Sequence, residues 1–244
     1  DQPYPGCAVT RNVGAGKTYA TIQSAVDSLP GTLTGHSCVV IEDGASYAEQ
    51  VTVRNFVNNG SSITILANPA SGLTPTVSPP AASTAAFLIA NASVNIQGIA
   101  IVPAAAMNWG VKASSALITL SSVSVQDDGG LIKFAGVQLS SWNAVSYTSV
   151  TVVGAHGFYL PGSTMTTVSY SSAQVNSNSF YAWYLQGASS NAFTVSLASN
   201  TNGIAVMLNG YAGNNHIDDS TILSGRLWGT ALFMDRSSSN TITA

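Results

Sequence analysis

Charge is what this chain most lacks. Charged residues make up 7% of its 244 residues, against about 25% in an average globular chain. Seven Lys and Arg stand against ten Asp and Glu, a net charge of −3. Too few cations remain to neutralise a run of phosphates, so nucleic acid is excluded as a partner. Long apolar runs are missing as well. No stretch reaches about 18 residues without Ser, Thr, Asn or Gly, and no membrane span is expected. Cysteine is confined to Cys7 and Cys38, whose spacing fits no zinc motif. Histidine occurs only at positions 36, 156 and 216, which leaves no Ser-His-Asp or Cys-His arrangement to argue for. Carboxylates are not clustered as Ca²⁺ would require. Gly14-Ala15-Gly16-Lys17-Thr18 lacks the upstream Gly and apolar strand of a phosphate-binding loop. No metal and no cofactor is expected. Disorder is excluded by the 45% of hydrophobic residues.

What is present is a repeat. The fragments Gly110-Val111-Lys112, Gly136-Val137-Gln138-Leu139, Gly157-Phe158-Tyr159-Leu160, Ala182-Trp183-Tyr184-Leu185, Ala205-Val206-Met207-Leu208 and Ala231-Leu232-Phe233-Met234 share one pattern. A small residue is followed by an apolar one, a variable one and usually Leu. The apolar positions are separated by 26, 21, 25, 23 and 26, with Phe87 another 24 before them. A second series runs Val94, Ile118, Val145, Val168, Val195, Ile217 and Ile242. Both have a period near 24. Within each repeat apolar and polar residues alternate, as in Val145 to Val152, which is strand periodicity. Alternation in this stretch turns Tyr147 inward, and Tyr170 likewise, as stacked core residues. Asn, Ser and Gly punctuate the strands. Such repeats are too short for propeller blades and lack the Leu-rich pattern of a horseshoe. They predict an all-β fold, a right-handed parallel β-helix of about nine or ten coils stacked about 4.8 Å apart.

The start differs. Tyr19, Ile22, Val26 and Leu29 share one helical face, and Pro30 ends the helix. A solenoid needs its terminal core covered, so residues 1–38 are expected to form an arm and capping helix, with coils over 39–244 in a single domain. Val39-Val40-Ile41 and Gln50-Val51-Thr52-Val53 follow as the first strands. The run Tyr-Ala-Thr-Ile-Gln-Ser-Ala-Val-Asp-Ser-Leu-Pro from Tyr19, then Val-Val-Ile-Glu-Asp-Gly and Tyr-Ala-Glu-Gln-Val-Thr-Val, resembles the opening of the pectate-lyase-like right-handed β-helix superfamily. Pectin methylesterases show it clearly, and Ser237 to Thr243 resembles the degenerate coils of carbohydrate-associated β-helices. The resemblance implies the fold. It does not imply one activity, because that fold hosts lyases, hydrolases, esterases, adhesins and fibre proteins. The final residues still read as a repeat, and a longer repeat protein is expected.

Cys7 and Cys38 could be buried thiols or a bridge. The Ser/Thr/Asn-rich, weakly charged remainder suits a secreted or cell-surface protein, and so a disulfide is expected. Asn59-Gly60-Ser61 and Asn91-Ala92-Ser93 are glycosylation sequons, informative only in a eukaryotic chain.

The candidates for catalysis are Asp127, Asp128 and His156. With Val125 and Val152 taken as equivalent, the Asp pair and Gly154-Ala155-His156-Gly157 fall at one corner of neighbouring coils. This resembles polygalacturonases and implies inverting hydrolysis, in which carboxyl groups about 6.5–9.5 Å apart protonate the leaving oxygen and activate water. The third carboxylate of that family is absent from Val102-Pro103-Ala104-Ala105, and its cations are absent from Asn176-Ser177-Asn178. An ordinary turn explains the same residues. Leu223-Ser224-Gly225-Arg226-Leu227-Trp228 resembles a pectin methylesterase stretch whose Arg assists substrate binding. However, the nucleophile-bearing Gly-x-x-Asp-Phe is missing, and Arg226 reads as a surface cation near Asp218 or Asp219.

From Phe134 to Ile217 there is no Asp, Glu, Lys or Arg. Acidic polysaccharides find no partner there. The variable residue of each fragment points outward, which makes a column of Lys112, Gln138, Tyr159, Tyr184, Met207 and Phe233. The last four are the candidate ligand-binding residues. They suit a neutral polysaccharide, another protein or a second copy, or burial under loops. The expected function is a non-catalytic structural, adhesive or neutral-polysaccharide-binding module. The alternative is a carbohydrate-active enzyme, a hydrolase or lyase.

Overall fold

Each repeat folds into one turn of a right-handed parallel β-helix, about nine turns in all. The computed structural model describes residues 1–115, 117–225 and 229–243. Among them, three parallel sheets run along the rod. The first has ten strands, from Val9–Val13 to Thr241–Ile242. The second has eight, from Val51–Arg54 to Leu232–Asp235. The third has eight, from Ser46–Tyr47 to Thr221–Ser224. Within a turn the chain passes from the first sheet to the third and then to the second.

The second sheet has the register expected from the fragments. Phe87, Val111, Val137, Phe158, Trp183, Val206 and Leu232 are paired in line. The small residue before each is required by close approach. A Cβ on Gly136 would lie 2.3 Å from Cγ1 of Val150 in the third sheet.

The first-sheet column is corrected at three places. It runs Ile96, Leu120, Val145, Val168, Phe193, Ile217 and Ile242. Val94 and Ile118 are buried two residues before their expected positions' true occupants, whereas Val195 is exposed in a turn. The corrected steps, 24, 25, 23, 25, 24 and 25, are more even than the expected ones.

Two polar ladders hold the corners. Asn191 donates from Nδ2 to Oδ1 of Asn215, and Asn215 donates likewise to Asn240, each at 3.0 Å. Asn143 and Thr166 occupy the same place in earlier turns. At the next corner, the backbone N–H groups of Thr148, Ser171 and Ser196 donate to the hydroxyls of Ser171, Ser196 and Ser220 at 3.1–3.2 Å. Buried corner amides thereby find partners that the sheets do not supply.

The cap is a short helix, Ile22–Asp27, which buries Ile22, Ala25 and Val26. It is shorter than the 19–29 stretch of apolar spacing. Tyr19 instead bridges to Val13 in extended form, and Leu29 is buried beyond the helix end. Thr21 accepts from the Ser24 N–H at the N-cap. The Glu49 carboxylate receives the Ile22 and Gln23 N–H groups, both at 2.8 Å. Its pKa is nevertheless raised, because burial disfavours the charge more than these bonds favour it. The sheet begins earlier than Val39, since Val9–Val13 already pairs with Ser37–Ile41. The disulfide Cys7–Cys38 ties the arm to that strand.

Candidate aromatic site on the second sheet

The outward column of the second sheet is in register as expected, with Gln138, Tyr159, Tyr184, Met207 and Phe233 side by side. Its exposure differs from a row of free side chains. Tyr159 and Met207 are each only 8% exposed, Tyr184 is half-buried and Phe233 is 44% exposed. Neighbouring aromatics account for much of this. Tyr159 and Tyr184 stack at 5.2 Å, and Phe134 meets Tyr159 edge-on at 5.2 Å. The Tyr159 hydroxyl donates to Oε1 of Gln186.

His156 sits at the centre of this group. Its ring lies 4.7 Å from that of Tyr184, 4.9 Å from Phe180, 5.4 Å from Tyr181, 5.6 Å from Tyr159 and 5.9 Å from Phe134. Burial lowers its pKa to about 4. The ring is therefore neutral at pH 7. Burial also raises the Tyr159 and Tyr181 phenols, with the neighbouring Tyr184 adding to it. Trp109 extends the group, edge-on to Phe134 at 5.9 Å, with Nζ of Lys112 4.0 Å over its face. The result is an aromatic platform with Lys112 at its Trp109 edge. Sequence reading found the Tyr159 and Tyr184 members. It missed Phe134, Phe180 and Tyr181, which come from the strand edges and turns beside the column.

Asp127 and Asp128 lie at the corner between the third and second sheets, on its third-sheet side, whereas His156 opens the second-sheet strand after the same corner one turn on. Val125 pairs with Val150, not with Val152, and Asp127 therefore pairs with Val152. His156 pairs with Ala135 in the second sheet. The Asp127 side chain is 2% exposed. Its two oxygens accept the Leu131 and Ile132 N–H groups, both at 2.7 Å. Asp128 is exposed and accepts from Gln126. No hydrogen bond among the described residues joins either Asp to His156. Arg226 lies outside the described residues. Among them, no group of three or more His, Cys, Asp or Glu side chains is placed to hold a metal ion, and no helix is long and apolar enough to cross a membrane.

No protein-family model and no curated protein matches the sequence. Solved structures do match. Geobacillus virus E2 ORF18 is 15% identical, with a TM-score of 0.53 over 91% of this chain and 43% of its own. This chain thus spans less than half of that protein. The pectin methylesterase of Aspergillus niger is 14% identical, with a TM-score of 0.50 over 99% of this chain and 87% of its own. At such identities the likeness shows the fold alone, a right-handed parallel β-helix.

Proposed function

We propose that the protein is a secreted or cell-surface β-helix that binds a neutral polysaccharide through the second-sheet platform without cleaving it. One observation carries this reading. Phe134, His156, Tyr159, Phe180, Tyr181 and Tyr184 converge on one face within a stretch of sequence that has no Asp, Glu, Lys or Arg. Tyrosine joins a flat apolar ring to a hydroxyl, which suits the apolar face and polar rim of a sugar. An acidic polymer would lose hydration there without gaining a counter-charge. Hydrolysis is the weaker reading. Asp127 spends both oxygens on backbone N–H groups, and the neutral His156 is enclosed by rings.

The test is electrophoresis through native gels containing mixed-linkage β-glucan, galactomannan, dextran or polygalacturonate. Retardation by at least one neutral polymer and none by polygalacturonate is expected. Tyr181→Ala/Tyr184→Ala should weaken it about tenfold, a contact free energy of about 1.4 kcal/mol. Phe134→Ala, at a more exposed ring, provides a second variant if the first does not fold. Retardation as strong as wild type in the folded variants would overturn the assignment.

A further inference from the structure

A second aromatic feature lies at the corner between the first and third sheets. From Gly98 onward each passage there is made by one residue with left-handed backbone: Gly98, Ser122, Tyr147, Tyr170, Val195 and Asp219, with φ between 45° and 68°. Glycine and asparagine adopt this conformation readily. Other residues pay roughly 1 kcal/mol, and a β-branched one more. Tyr147, Tyr170 and Val195 are thus held in the least suitable backbone on three successive turns.

Burial does not compensate. Tyr147 is 62% exposed, Tyr170 56% and Val195 47%. The expected inward stacking is therefore corrected. The left-handed residue breaks the alternation of the strand and turns each side chain out of the core. The two tyrosines still stack on each other, 5.2 Å apart and 9° from parallel. They form one wall of an open groove of about 650 Å³, lined also by Ser149, Ser172 and Thr221. Asp219 contributes its one carboxylate.

We infer that this groove is a second neutral-glycan site, and that the protein bridges two polysaccharide chains. The inference rests on the proposed function for the class of ligand, but its residues are separate. Tyr147 follows first-sheet Val145 and precedes third-sheet Val150, both of which point into the core. The platform lies on the outer face of the second sheet, with the core between. One polymer strand cannot lie along both. Ordered rings beside a row of hydroxyls, with a single charge, offer stacking and hydrogen bonds and no ion pair. That is the chemistry of an uncharged sugar polymer.

Tyr147→Asn/Tyr170→Asn removes both rings and installs a residue that accepts left-handed backbone, so the variant should fold. Light scattering of protein mixed with mixed-linkage β-glucan, galactomannan or dextran is followed beside gel retardation on the same polymers. The wild type is expected to be retarded and to raise the scattering. The variant is expected to be retarded, with scattering no higher than polymer and protein measured apart. Bridging by the variant equal to wild type, or a retarded wild type that never bridges, would overturn the groove while leaving the platform. Scattering by wild-type protein alone that the variant loses would make the groove a self-association surface and overturn the inference. A wild type retarded by no neutral polymer would overturn platform and groove together.

Discussion

The Tyr181 backbone N–H donates to Nδ1 of His156 over 3.1 Å, across the boundary between two turns of the rod. The bond leaves the ring proton on Nε2 and fixes the imidazole among Phe180, Tyr181 and Tyr184. A histidine that the sequence offers as a catalytic candidate is thereby the buried hub of an aromatic surface.

That placement makes stability depend on pH. In the unfolded chain His156 takes a proton near pH 6.5, whereas in the folded chain it does so only near pH 4. The unfolded state therefore binds more protons between these values. The contribution is complete above about pH 6.5 and is lost as the pH falls towards 4, by on the order of 3 kcal/mol. His156→Gln can still accept from Tyr181 and does not titrate. Urea unfolding at pH 7 and pH 4.5 should show a smaller loss for His156→Gln than for wild type. Equal losses would contradict the placement.

The asparagine ladder should be a main support of the later turns. Asn215 is fully buried, donates to the Ala188 carbonyl and to Asn240, and accepts two bonds from Asn191. Asn215→Ala leaves those buried partners unmet, at a cost of about 3 kcal/mol. The urea midpoint should fall with little change in slope. A midpoint within experimental scatter of wild type would refute the ladder's role.

The paired aspartates should separate in a stability measurement. Asp127→Ala strips two backbone N–H groups of their acceptor and should cost about 3 kcal/mol. Asp128→Ala, at an exposed turn, should stay within about 0.5 kcal/mol of wild type. Thermal unfolding of the two single variants decides this. An Asp127→Ala protein as stable as wild type would return Asp127 to the catalytic candidates.

These contrasts show what residue pattern conveys and what it leaves out. The 24-residue period exposed the solenoid, and the second-sheet column was read correctly from Phe87 to Leu232 because its small-apolar-variable signature recurs in every turn, although Val51 also belongs to it. The first-sheet column was misplaced at Val94, Ile118 and Val195. Apolar residues two apart satisfy strand alternation equally well, and only the corner geometry separates Val195 from Phe193. Asn191, Asn215 and Asn240 looked like turn punctuation, although their spacings of 24 and 25 match the solenoid period. Tyr147 and Tyr170 were assigned to the core because alternation cannot register a left-handed residue. Asp127 invited a catalytic reading because its backbone partners, Leu131 and Ile132, carry no mark in their side chains.

The most direct test of the central claim is size-exclusion chromatography with light scattering on protein held for a day with mixed-linkage β-glucan, galactomannan or dextran. The protein is expected to co-elute with at least one neutral polymer, with the polymer's molar mass unchanged. Failure to co-elute with any of them would contradict binding. A fall in polymer mass that Asp127→Ala/Asp128→Ala abolishes, with that variant still folded, would make the protein an enzyme.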